Sequence, residues 1–186
     1  MNRLTHRRTR IVALGAALLI TAGAAGAAQA SGSGGEGNRP REAAALTGSA
    51  KLYRSAGDDI TFTFDAHLAA EDTADPTKAR GAFSFSHYLG GRGASADVSV
   101  DCLVTGGKVA VVSGIITRSD GMLADAKGRR VGVTVHDLGK HARLGYSWAA
   151  TEGPAKDLPR CVSSAPFEKV KAGTGDFKVL PWQPKL

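Results

Sequence analysis

Strict alternation of apolar and polar positions recurs along this chain and defines most of its elements. Between Asp97 and Ser119 (DVSVDCLVTGGKVAVVSGIITRS), two β-branched, alternating runs meet at Gly106-Gly107. Successive side chains of a strand point to opposite faces, and paired glycines adopt the positive φ of a tight two-residue turn without steric cost. The stretch predicts a hairpin turning at Gly106-Gly107, with Val104 opposite Val109, Cys102 opposite Val111 and Val98 opposite Ile115. In that register Val98, Val100, Cys102, Val104, Val109, Val111 and Ile115 share the core face. Asp97, Ser99, Asp101, Leu103, Ala110, Val112 and Ile116 fall on a half-wet face.

The same period recurs on both sides of the hairpin. Ile60, Phe62, Phe64, Ala66 and Leu68 share one face of a strand over 60–68, with Thr61, Thr63, Asp65 and His67 on the other. Phe83 and Phe85 point inward from a strand over 81–89, and Val131, Val133 and Val135 from one over 129–136. Leu144, Tyr146 and Trp148 face together, Lys51–Arg54 is strand-like, and Asp176–Leu180 closes the series. Acids and Pro76 make 69–79 an exposed loop, Gly90-Gly91-Arg92-Gly93 a turn and 120–128 a further loop, while Pro154 and Pro159 exclude a central strand before Cys161. Short alternating runs with turn signals between them, and no long helical period, predict an all-β fold. The expected architecture is an antiparallel meander of seven or eight strands forming a sandwich or barrel, with one disulfide.

The amino terminus has a different composition. Residues 1–10 carry Arg3, Arg7, Arg8 and Arg10 without an acid, 11–28 are apolar, and Ala28-Gln29-Ala30 ends the run with small residues. A basic segment, an apolar segment and an A-x-A site predict a secretory signal peptide over 1–30, cleaved after Ala30. Gly- and Ser-rich residues 31–47 predict a flexible linker, with a short helical turn at most over 42–46, and 48–186 a single β-domain. Removing the four signal arginines leaves 20 basic residues of 24 against 17 acidic ones, so the net charge falls from +7 to +3. That balance gives no case for a nucleic-acid partner. Export predicts an extracellular protein with no membrane association after cleavage.

Cys102 and Cys161 are the only two cysteines. In an exported chain they predict one structural disulfide, with a single available connectivity. A reactive pair would want C-x-x-C spacing or a basic neighbourhood, and neither is present.

The run from Val100-Asp101-Cys102-Leu103 and the Val-Thr-Gly-Gly of 104–107, through Val131-Gly132-Val133 and Leu144-Gly145-Tyr146-Ser147-Trp148, to Cys161 before Ala165-Pro166-Phe167, resembles a group of small secreted proteins of filamentous actinobacteria. Some of these are labelled repetin. The resemblance implies location and fold, and carries no site residues.

Candidate chemistry is sparse. His67 sits beside Asp65 on the wet face of its strand, His87 follows the parity of Phe83 and Phe85, and His136 and His141 flank one turn. No two histidines stand at i,i+2, the strand spacing of a zinc site, so no metal is expected; Asp65 and His67 leave only a weak two-ligand contact open. Asp101 and Asp97 share a strand without the features of a glycosidase acid pair, and Asp101 reads as a solvent-facing or hydrogen-bonded strand residue. The chain lacks G-x-S-x-G, and Gly90-Gly91-Arg92-Gly93 lacks the Lys-Ser/Thr and helix of a phosphate loop. No catalytic residue and no cofactor are expected. The leading expectation is a non-enzymatic domain with an interaction or cell-envelope role and an extracellular partner. The alternative is a barrel holding a small apolar ligand between inward aromatics, and the third an unrecognised hydrolase.

Overall fold

The structure, a computed structural model, describes residues 41–149, 153–155 and 157–182. The expected signal peptide and residues 31–40 of the expected linker lie outside them. Among the described residues nine strands form one antiparallel sheet: β1 (Glu42–Lys51), β2 (Asp59–Ala69), β3 (Arg80–Leu89), β4 (Arg92–Gly106), β5 (Val109–Ser119), β6 (Arg130–His136), β7 (Arg143–Tyr146), β8 (Glu168–Lys169) and β9 (Asp176–Leu180). The first eight follow one another as a meander, and β9 returns to pair with β1. The sheet curls into a half-barrel. At one end its margins meet, where Leu52 bridges Val170, Tyr53 N–H donates to Lys169 O at 2.8 Å and Lys171 N–H donates to Lys51 O at 2.8 Å.

The concave side is the core. Ile60, Phe62, Phe64, Ala66 and Leu68 are all buried on β2, as their alternation requires, and Phe83 and Phe85 meet them from β3. Phe177 of β9 packs edge-on against Phe64 at 5.5 Å. A strand begins at Glu42 rather than near Gly48, and the expected helical turn over 42–46 is extended chain with Ala44, Ala45 and Leu46 buried. Ala-rich sequence conceals it, because alanine is small enough for a crowded sheet yet carries no strand preference of its own.

The central hairpin forms in a different register. It turns at Gly107-Lys108, not Gly106-Gly107: Gly106 pairs with Val109, Thr105 with Ala110 and Leu103 with Val112. Gly107 has φ +54°, whereas Lys108 is not among the positive-φ residues, which matches a turn with glycine at its first central position only. The two-glycine turn instead joins β3 to β4, with Gly90 at +56° and Gly91 at +78°.

A bulge then changes the faces of β4. Val100 pairs with Gly114 and Cys102 with Ser113, leaving Asp101 as the extra residue. Val98 and Val100 point inward before it, Leu103 and Thr105 after it, and Val104 is 43% exposed. On β5 the core residues are Ala110, Val112 and Ile116, while Val109, Val111 and Ile115 are half-buried. The expected core face was therefore inverted beyond Asp101.

Cys102 is fully buried although it lies on the outer side, because the chain after β7 crosses the sheet there. Cys102 and Cys161 form the expected disulfide, with Cα atoms 5.4 Å apart. The crossing strap depends on two glycines: a Cβ on Gly132 would stand 1.9 Å from Val162 O, and one on Gly145 2.0 Å from Ala165 O. Burial of both faces explains why β6 has five consecutive buried residues rather than an alternating pattern.

Candidate functional site

One end of the concave face is left open. A cavity of about 310 Å³ is lined by Phe62 on β2, Phe85 and His87 on β3, Ala94 on β4, and Tyr146 and Trp148 at and beyond the end of β7. Met122 and Leu123, from a 3-10 turn over Gly121–Ala126, form one further wall, and Gly153 and Pro154 of the strap another.

The aromatic side chains are organised by register. Phe62 and Phe85 are directly opposite across the β2–β3 ladder, with ring centroids 5.9 Å apart. Trp148 lies 4.7 Å from Phe85 and 4.8 Å from Tyr146, and Phe62 lies 6.3 Å from Tyr146. These are the separations of rings in contact, so the four form a continuous apolar wall.

Ser86, His87 and Tyr146 bring polar groups to the lining. The Tyr146 hydroxyl lies 3.3 Å from Glu168 and 3.3 Å from Arg54, and Arg54 donates to Glu168 at 2.6 Å. Burial, reinforced by the Glu168 charge, raises the Tyr146 pKa and keeps the phenol protonated. The hydrogen bond to Glu168 raises that of Arg54. His87 Nε2 lies 2.7 Å from Asp58 Oδ2, with the imidazole half exposed and the carboxylate largely buried. Asp58 Oδ1 is buried and has no hydrogen-bond partner among the described residues.

The other singled-out residues lie elsewhere. His67 bridges Glu42 and Asp65 at 2.8 Å each, so both ring nitrogens are engaged by carboxylates. Burial works against its charged form, but the Asp65 hydrogen bond and the charges of Glu42 and Asp65 outweigh burial and raise its pKa. His136 ends β6 and His141 lies in an exposed 3-10 turn. Among the described residues no three His, Cys, Asp or Glu side chains gather as metal ligands.

Asp101 occupies a hydrogen-bonded position beneath the strap. It accepts from Ser113 Oγ at 2.7 Å and from Arg130 Nε at 2.8 Å, while Arg160 lies 3.9 Å away. Ser113 also accepts from Cys161 N–H at 3.0 Å, and Arg130 donates to Leu158 O at 2.8 Å. Every group is engaged in holding strap to sheet, which is a structural role.

Alternation identified the four aromatic residues of the cavity. Met122, Leu123 and Pro154 carry no comparable signal, because they reach it from irregular segments. The Asp58–His87 pair was legible only in part: Ile60 pairs with His87 across the ladder, but the loop conformation that brings Asp58 there is not periodic.

Fold and site together define an antiparallel half-barrel with an aromatic-walled cavity at one end. A scan against protein-family models finds no match, and searches of curated proteins and of solved structures likewise find none.

Proposed function

We propose that this protein is an exported, non-enzymatic binding domain that holds a small apolar ligand against Phe62, Phe85, Tyr146 and Trp148. The observation that carries the reading is the cavity itself. Its volume of about 310 Å³ and its aromatic walls match the lower end of small-molecule sites, which run from about 300 to 1,000 Å³ with a few polar groups at the margin. His87 supplies a polar group at one edge, able to orient a ligand that carries one hydrogen-bonding atom. The basic, apolar and A-x-A segments of residues 1–30 support export, and an oxidising compartment is where the Cys102–Cys161 bond would persist. A ligand or an extracellular surface in that compartment is the proposed partner.

The test is titration with a neutral apolar fluorophore, N-phenyl-1-naphthylamine. Saturable enhancement is expected, lost in Trp148→Ala and reduced in Ala94→Leu, with circular dichroism confirming that both variants are folded. Unsaturable enhancement, or full binding by folded Trp148→Ala, defeats the reading. Export is tested by intact mass of protein recovered from the medium, expected to begin at Ser31.

A further inference from the structure

We infer that the seam where the half-barrel's margins meet is a second binding site, separate from the aromatic cavity, which takes an extended polymer bearing repeated phosphate groups. Two depressions adjoin there and share Lys140 and Val170. The smaller, of about 220 Å³, is lined by Lys140, His141, Arg143 and Lys169. The larger, of about 650 Å³, continues past Lys171 and Gly173 to Asp176.

The charge at the seam is predominantly positive, although the Asp59 carboxylate interacts with Lys171. Arg143 and Lys169 are direct cross-strand partners in the β7–β8 ladder, and like charges opposite one another destabilise a sheet. Lys171 follows Lys169 by two positions, and Lys140 enters from the 3-10 turn that precedes β7. Lys51, Arg54, Lys78, Arg118 and Arg130 each have a carboxylate within ion-pairing distance. Among the described residues Lys140, Arg143, Lys169 and Lys171 have none. Other described lysines and arginines also lack an ion pair among the described residues, but these four are gathered around one joined depression, where Asp176, in the larger half, is the one acid among the described lining residues.

Geometry selects the ligand class. A single phosphate would occupy one depression, whereas basic residues distributed along two joined ones fit a chain that presents anionic groups at intervals. Its binding would weaken steeply as salt rises, because each neutralised phosphate releases counterions.

The probe is inorganic polyphosphate, titrated against the full chain at several salt concentrations. Arg143→Gln combined with Lys169→Gln is expected to weaken binding at least tenfold and to lower the slope of log affinity against log salt by about two. A charge-matched control, Lys108→Gln with Lys127→Gln, is expected to stay within twofold of the unaltered chain. The seam double variant is also expected to melt no lower than the parent without ligand, which separates lost binding from lost folding. Equal weakening in both double variants would reduce the effect to net charge and overturn the inference, as would unchanged binding in the seam variant. A melting point well below the parent would overturn the like-charge argument. Competing phosphatidylglycerol vesicles that displace polyphosphate while polyphosphate fails to displace them would overturn it in favour of a membrane surface.

Discussion

The Ser113 hydroxyl donates to the Asp101 carboxylate at 2.7 Å, across a bulge that leaves Asp101 without a ladder partner. The extra residue therefore serves the strap: the aspartate that β4 displaces is held by Ser113 and Arg130, which also bind the crossing chain through Cys161 N–H and Leu158 O. Asp101→Ala strips a largely buried Arg130 of its carboxylate and leaves the Ser113 hydroxyl without an acceptor. A loss of about 2 kcal/mol is expected, seen as a melting point lower by about 6–10 °C. An unaltered melting curve would remove Asp101 from the account of the strap.

The disulfide closes a separation of 59 residues, and the chain-entropy estimate for such a loop is roughly 4 kcal/mol. Reduction, or Cys102→Ala, is expected to lower the thermal midpoint by well over 5 °C. Cys161 adds a finer test, because it is the one non-glycine residue described with positive φ, at +60°. With Cys102→Ala in place, Cys161→Gly should melt higher than Cys161→Ala by the equivalent of about 1 kcal/mol, since glycine alone takes that conformation freely. The reverse order would show that the strap abandons this conformation once the sulfurs part.

Gly132 and Gly145 test how closely the strap must lie. Neither has positive φ, so the penalty for an alanine there comes from space and not from backbone strain. Gly132→Ala is expected to cost about 1–3 kcal/mol by forcing Val162 away from β6. Gly106→Ala, where a Cβ would meet nothing within 4 Å among the described residues, is the comparison and should change little. Equal melting of the two would mean that the strap yields without cost.

His67 predicts a pH dependence with a definite sign. Its folded pKa is raised by two carboxylates, so the charged imidazole favours the folded state. That contribution is complete below the ordinary histidine value near 6.5 and is lost as pH rises through the folded value. Melting of the unaltered chain relative to His67→Gln should thus show an advantage in acid that disappears on the alkaline side. A difference that is constant with pH would show that the ring is not titrating against Glu42 and Asp65.

Alternation identified the core-facing side chains of β2, β3 and β6 by residue, and Phe62, Phe85, Tyr146 and Trp148 of the cavity with them. It failed where one residue altered parity. Reading β4 as regular placed Val104 inside, whereas the bulge at Asp101 turns it out and brings Leu103 in. The turn failed for a related reason: Gly106-Gly107 and Gly107-Lys108 are both compatible with glycine chemistry, and only packing of Ala110, Val112 and Ile116 decides between them. The strap left no periodic trace, because Val162 and Ala165 approach the sheet through backbone carbonyls. Its trace lies on the partner strands, in Gly132 and Gly145.

The position of β9 beside β1 sets an order on the chain's assembly. A chain made from its amino terminus completes β1 long before residues 168–180 exist, so one margin of that strand waits with its backbone donors and acceptors unmatched. Shortening the chain ahead of Asp176 would make that temporary exposure permanent, and such a fragment should associate with itself rather than remain as separate molecules.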